Sequence, residues 1–146
     1  MNSEKIIFYY TEHHNNTEKL LQEAANGFHL EKVPSDIVDV SNYKYIGFAS
    51  GIYWGIFGQP LTEQINKLIN IKGKHCFSIC TSGSGNSKYI NAPSSQIKQK
   101  GGIFIGGFGC EGFDTYGQFG KIGGIAKGHP DKNDFENCKK FLEQLK

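Results

Sequence analysis

The sequence of 146 residues contains no arginine, so all 16 of its strongly basic side chains are lysines. Arginine is the residue that most often reads guanine and grips phosphate through paired hydrogen bonds. Fourteen acidic residues bring the formal net charge to only +2. Because the sequence has neither a basic excess nor the usual base-reading side chain, it predicts no nucleic-acid partner.

Long apolar runs and a secretion signal are also missing. No window approaches 18 consecutive apolar residues, and no small-residue cleavage site follows the polar start of the chain. The four cysteines, Cys76, Cys80, Cys110 and Cys138, show neither CxxC nor zinc spacing. The sequence therefore predicts one cytoplasmic domain spanning residues 1–146, with reduced thiols and no membrane partner.

Glycine, in contrast, is abundant. Eleven of the 19 glycines lie between Gly101 and Gly128, without a collagen-like period. Glycines in such an arrangement serve turns, helix ends or close approaches of the backbone.

Short apolar runs alternate with stretches of helical periodicity. The strand candidates are Lys5–Tyr10 (KIIFYY), Ile37–Val40, Tyr45–Ala49, Lys74–Cys80 and Ile103–Ile105. The helix candidates are a stretch from Leu20 to Phe28, the segment Gln59–Ile69 with Pro60 in its first turn, a faint one within 88–100, and a C-terminal one capped by Asp131 or Asn133. This alternation predicts an α/β fold, a doubly wound parallel sheet with helices on both faces. Residues 108–128 fit no element.

Ligands of such folds bind beyond the carboxyl ends of the strands, and three unusual loops follow predicted strands there. The first is Thr11-Glu12-His13-His14-Asn15-Asn16-Thr17, which leads into a helix and suits an anion. The second runs from Ser50 to Pro60 and places aromatic residues between glycines, which suits stacking on a planar ligand. The third is Thr81-Ser82-Gly83-Ser84-Gly85-Asn86-Ser87, rich in small hydrogen-bonding groups.

Each loop also has a structural interpretation. The first can be an ordinary helix cap, the second a cover over the core, and the third an unremarkable polar turn. His13 and His14 have no third ligand at a sensible spacing, so we expect no metal. Only the combination of the three loops favours a binding site.

With these motifs the chain resembles the flavodoxin family of FMN-binding electron carriers over nearly its whole length. Asn16 and Thr17 match the last two positions of the family's phosphate loop, while Asn15 stands where glycine is usual and His14 where a threonine is usual. The resemblance implies a flavodoxin-like five-stranded sheet of order 2-1-3-4-5 with FMN between strands one and three, as in flavodoxin itself.

The resemblance also implies which residues contact FMN. Thr11, His13, His14, Asn15, Asn16 and Thr17 would surround the phosphate; Ser50, Gly51, Ile52, Tyr53, Trp54 and Gly55 would border the ring, with Tyr53 or Trp54 stacked on it; Thr81, Ser82 and Gly83 would face its pyrimidine end. The implied partners are redox proteins, and no catalytic residue of the protein is then required.

Two features depart from the carriers of this family. Those carriers are strongly acidic, whereas this sequence has a pI of about 8.3, so its docking surface must differ. The segment 108–130 alternates glycine with aromatic residues, of which Phe113, Tyr116 and Phe119 are expected to pack within the loop. Cys110 has no partner cysteine nearby in sequence for a redox role, and Cys76 and Cys80 are expected in the core.

An FMN-dependent NAD(P)H or quinone reductase of the same fold is the alternative function. A flavin-free binding or regulatory domain is a third hypothesis. A response-regulator receiver is disfavoured, because Tyr9-Tyr10-Thr11 and Ala49-Ser50-Gly51 lack the acidic residues that it needs at these strand ends.

Overall fold

The computed structural model describes residues 4–12, 14–53, 55–115, 119 and 122–145. The strands are β1 (Lys5–Tyr10), β2 (His29–Lys32), β3 (Tyr45–Tyr53), β4 (Ile56–Phe57), β5 (His75–Ser82) and β6 (Ile103–Glu111). The helices are α1 (Asn16–Ala24), α2 (Gln59–Lys67), α3 (Ser94–Gln99) and α4 (Lys132–Glu143), with a 3₁₀ helix at Ser87–Asn91. None of the helices among the described residues has the length and apolar character needed to cross a membrane.

Five strands form a parallel sheet in the order β2-β1-β3-β5-β6, and the two-residue β4 pairs antiparallel with the end of β3. Without β4 this is the predicted order 2-1-3-4-5. The doubly wound fold class is thereby confirmed.

Apolar layers cover both faces of the sheet, as the continuous run in β1 predicts. Ile6 and Phe8 pack on one face in a cluster that includes residues of α2 and α3. Ile7 lies on the other face in a cluster with residues of α1 and α4. The β-strand period of two thus distributes one apolar run between two cores.

The predicted second strand, Ile37–Val40, is wrong. The second strand is β2, whose His-Leu-Glu-Lys sequence is polar because it pairs with β1 at the edge of the sheet. Val40 is nevertheless buried, and Asp39 forms an isolated bridge with Ile69. The apolar pattern at Ile37–Val40 therefore reflects a loop that packs on the core.

The last strand is longer than the predicted Ile103–Ile105, and the expectation that 108–128 holds no element fails for Phe108–Glu111. A register shift interrupts the β5–β6 pairing between Cys76 and Ser78, and Gly106 has a φ of +108°. A Cβ on Gly107 would lie 2.1 Å from the Ser78 hydroxyl oxygen. Glycine here permits a bulge and a close approach of two strands, so part of the glycine excess belongs to a strand.

The predicted helices are present with shifted ends. Pro60 lies in the first turn of α2. The weak segment 88–100 divides into the 3₁₀ helix and α3, with Pro93 between them at the N-cap position of α3. Asp131 caps α4, and Cys138 and Leu142 are the buried part of its apolar stripe.

Candidate functional site

The carboxyl ends of the parallel strands bring the predicted loops to one edge of the sheet. Thr17, at the start of α1, is buried, and its Oγ1 lies 3.2 Å from Oγ1 of the buried Thr81 at the end of β5. Thr11 is also buried, directly after β1. The first and third predicted loops therefore touch across the end of β3.

The residue at the N-cap position of α1, Asn15, does not cap the helix with its side chain. Asn15 precedes the helix in the left-handed conformation (φ 57°, ψ 35°), and its side chain makes no capping hydrogen bond. Asparagine tolerates this conformation in place of glycine. The amides of the first turn, at the positive end of the helix dipole, form a place where an anion can bind.

Asn16 adds an unusual polar group beside this helix end. Its Nδ2 donates to the Phe113 carbonyl at 2.9 Å, whereas its Oδ1 is buried without a hydrogen-bond partner among the described residues. A buried acceptor without a donor costs about 1–3 kcal/mol. A ligand hydroxyl would satisfy it.

The second predicted loop is a hairpin of β3 and β4. The Ser50 hydroxyl donates to the Gly51 carbonyl at 2.6 Å and accepts from the Gly58 amide at 3.0 Å, so it holds the hairpin together. Ile52 pairs with Phe57 and packs on the core.

Tyr53 turns back toward the sheet instead of projecting outward. Its ring meets Tyr10 edge-on at 5.9 Å, and its hydroxyl lies against Gly51. Burial, together with the charge of Glu12, raises the pKa of Tyr53. The Tyr10 hydroxyl donates to Glu12 at 2.5 Å, and this hydrogen bond is the main cause that raises the Tyr10 pKa to about 12.

An open cleft of about 400 Å³ lies between the hairpin and the 3₁₀ helix. Its lining consists of Gly55, Lys88, Tyr89, Asn91 and Ala92. The Lys88 ammonium lies 5.7 Å from the centre of the Tyr89 ring. A planar group of moderate size could enter here beside an aromatic ring.

Residues 112–115, which we call the covering segment, continue from β6 across the first and third loops. His14 Nε2 lies 2.9 Å from Thr115 Oγ1, and the rings of His14 and Phe113 are 4.4 Å apart. Asp114 packs against Gly83. A Cβ on Gly112 would lie 2.7 Å from Asn16 Nδ2, so this close approach requires glycine.

The covering segment is itself held by the region before α4. The Phe113 amide donates to the His129 carbonyl at 2.9 Å, and Asp114 and Ile125 form an antiparallel bridge. His129 Nδ1 lies 2.7 Å from Asp134 Oδ2. This hydrogen bond and the nearby carboxylates of Asp131 and Glu111 raise the His129 pKa.

His129, Asp131 and Asp134 place their ligand atoms within 4.8 Å of one another, a spacing that a metal ion could use. They are already engaged, because Asp131 and Asp134 form the capping box of α4 and Asp134 also binds His129. These three residues therefore serve to cap α4.

The thiols are buried. Cys76 and Cys80 lie in one core cluster, and Cys110 and Cys138 in the other. Burial raises the pKa of Cys76, Cys80 and Cys138 to about 12 and raises that of Cys110 as well. Buried cysteines with raised pKa values are generally structural and not reactive.

His13, Trp54 and Tyr116 lie outside the described residues. Among the described residues, the three loops meet at the carboxyl edge of the sheet. The Ser50 hydroxyl is engaged in hydrogen bonds within the hairpin, and Asp114 covers Gly83. Sequence reasoning missed Tyr89 and the contact of Thr115 with His14. Thr115 follows β6 by four residues and so comes to the same edge, but no sequence motif indicates that it contacts His14.

No family model matches the chain. An uncharacterized protein of Methanocaldococcus jannaschii, MJ0298, is 33% identical over 147 aligned positions that cover 96% of both chains. A flavodoxin from the domain Archaea superposes with a TM-score of 0.67 at 13% identity, over 93% of this chain and 92% of that one. A Fusobacterium nucleatum flavodoxin bound to flavin mononucleotide gives 0.64 at 14% identity, over 95% of both. The chain therefore has the flavodoxin-like fold and belongs to the same family as MJ0298.

Proposed function

We propose that the protein binds FMN at the carboxyl edge of its sheet and transfers electrons between redox partner proteins. The observation that carries this proposal is the amino terminus of α1, which Asn15 does not cap and which lies beside the buried Asn16 Oδ1, an acceptor without a donor among the described residues. FMN offers a phosphate for the helix end and sugar-alcohol hydroxyls for such an acceptor. The residues present fit the cofactor in both respects.

The phosphate of FMN carries a charge of about −1.5 to −2 at neutral pH. Residues 11–17 contain no lysine, so amides of the first helical turn would be its main donors. Thr11, Asn15, Asn16 and Thr17 would line this end, and His13 and His14 are the two side chains in the loop that could add positive charge.

The ring system would lie toward the hairpin. Trp54 would stack on it, because the Tyr53 ring is turned onto Tyr10. Gly51, Ile52 and Gly55 would border it, with Ser50 keeping the hairpin closed. Thr81 and Ser82 would approach its polar end from β5, whereas Gly83 lies behind Asp114 and Ile125. When bound, FMN supplies one- and two-electron redox chemistry, and the protein orients it and limits its contact with water.

The test is an absorption spectrum of the purified protein followed by cofactor release. We expect a yellow protein, or one that becomes yellow with FMN, and release of FMN on denaturation. A colourless protein that binds no FMN at micromolar concentration would refute the proposal. A stable one-electron form during reductive titration is expected of a carrier.

A reductase is the second candidate, and the covering segment is the observation that favours it. This segment comes to the same edge as the proposed FMN site and contacts His14, where it could help to form a substrate pocket. Steady-state oxidation of NAD(P)H by the protein alone, with a quinone as acceptor, would establish this alternative.

A further inference from the structure

We propose that Thr115 is a positioning residue that holds the His14 imidazole at the phosphate end of the FMN site and thereby strengthens binding of the phosphate. This inference rests on the proposed function. It concerns a residue outside the three loops in which cofactor contacts were expected.

The first support is the place where the covering segment touches the loop. It contacts His14 through Thr115 Oγ1 at 2.9 Å and Asn16 through the Phe113 carbonyl at 2.9 Å. These two residues flank Asn15, whose left-handed backbone opens the helix end. The contacts therefore fix the loop on both sides of its turn.

The second support is the chemistry of the Thr115 hydroxyl. One nitrogen of the His14 ring is held by this hydroxyl, so the other is left to face a different group. A hydroxyl donates to a neutral imidazole and accepts from an imidazolium. Thr115 can thus keep the ring in place in either protonation state, including the charged one that a phosphate favours.

The third support is that the covering segment is anchored away from the loop. The Gly112 amide donates to the Ser82 carbonyl at 2.9 Å, and the Phe113 amide donates to the His129 carbonyl at 2.9 Å. The Phe113 ring lies 4.4 Å from that of His14 and restricts its rotation. A rigid support of this kind lowers the entropy lost when the ligand binds.

The experiment compares FMN with riboflavin, which lacks the phosphate, on apo-protein carrying Thr115→Val, Thr115→Ser or His14→Gln. Thr62→Val, on the exposed face of α2, is the matched control. We expect Thr115→Val to weaken FMN binding about three- to tenfold and His14→Gln about tenfold, with riboflavin unchanged. Thr115→Ser should restore the original FMN affinity, and Thr62→Val should leave both ligands unaffected.

Equal losses for FMN and riboflavin, or no loss with Thr115→Val, would overturn the inference while leaving FMN binding intact. A wild-type protein that binds neither flavin would overturn the proposed function and this inference with it. If Thr115→Val does not fold, ¹H–¹⁵N NMR of the wild-type His14 ring decides. Its ring signals should shift when FMN binds but not when riboflavin binds, and unshifted signals with FMN would contradict the role.

Discussion

The helices α1 and α4 pack on the same face of the sheet and begin at the same edge, yet their amino termini differ. Asp131 caps α4, and its carboxylate accepts from the Asp134 amide while Asp134 accepts from the Asp131 amide. His129 completes this arrangement at 2.7 Å from Asp134. Asn15 makes no corresponding contact at α1.

The amino terminus of α4 is therefore capped by side chains of its own first turn, whereas Asn15 does not cap α1. A capping box satisfies the free amides with the chain's own carboxylates. Residues that cap a helix with their side chains typically have a β-region backbone, whereas the backbone of Asn15 is left-handed and its side chain makes no capping hydrogen bond. We infer that α4 begins as a structural element, and that α1 begins as an anion site.

The largest expected effect comes from Asn15→Asp, which places a negative charge at the amino terminus of α1. A carboxylate there would stabilise α1 but repel the phosphate of FMN, by about 1.4–2.8 kcal/mol or ten- to hundredfold in affinity. Fluorescence titration with FMN and riboflavin measures the effect, and thermal unfolding of the apo-protein should show no loss of stability. Equal FMN affinity in the variant and the wild type would contradict the assignment of this helix end.

Removing the capping box of α4 should lower the stability of the protein and leave its affinity for FMN unchanged. Asp134→Ala removes the carboxylate that accepts from the His129 ring and the Asp131 amide, which is expected to cost about 1–3 kcal/mol of unfolding free energy. Urea denaturation of the apo-protein measures this cost. An unchanged free energy of unfolding in the variant would contradict the structural role of the α4 end. A loss of FMN affinity without a matching loss of riboflavin affinity would contradict it as well.

The smallest effect is a pH dependence specific to α4. The folded-state pKa of His129 is raised above 6.5, so its charged form contributes stability at low pH that is lost as the pH rises through the raised value. Asp131 has the opposite sign, because its lowered pKa means that its contribution is lost as the pH falls. Urea denaturation should show a lower free energy of unfolding at pH 8.5 than at pH 6, and this difference should be smaller in His129→Gln. Identical pH profiles for both proteins would exclude this contribution.

Much of the fold could be predicted because apolar patterns report burial. The run in β1 and the stripe of α4 were identified from spacing alone. β2 could not be, because an edge strand is held by backbone hydrogen bonds and its side chains stay polar. The glycines of β6 concealed a strand, because Gly107 closely approaches Ser78, Gly109 approaches Cys80, and Gly106 has a positive φ.

The candidate site was predictable only in part. The topology brings the ends of β1, β3 and β5 together, so the three loops could be grouped without a structure. The contact between His14 and Thr115 joins residues 101 positions apart, and the sequence carries no periodic signal for such a pair. The inward turn of Tyr53 onto Tyr10 likewise depends on tertiary packing.

The response of individual backbone amides to FMN, measured by ¹H–¹⁵N NMR on the apo-protein, tests most directly whether the start of α1 binds the phosphate. We expect large shifts for the amides of Asn16 and Thr17 at the start of α1, with those of Asn133 and Asp134 at the start of α4 nearly unchanged. Riboflavin should shift the amides of α1 less than FMN does. Unshifted α1 amides in the presence of bound FMN would contradict the claim that this open helix end binds the phosphate.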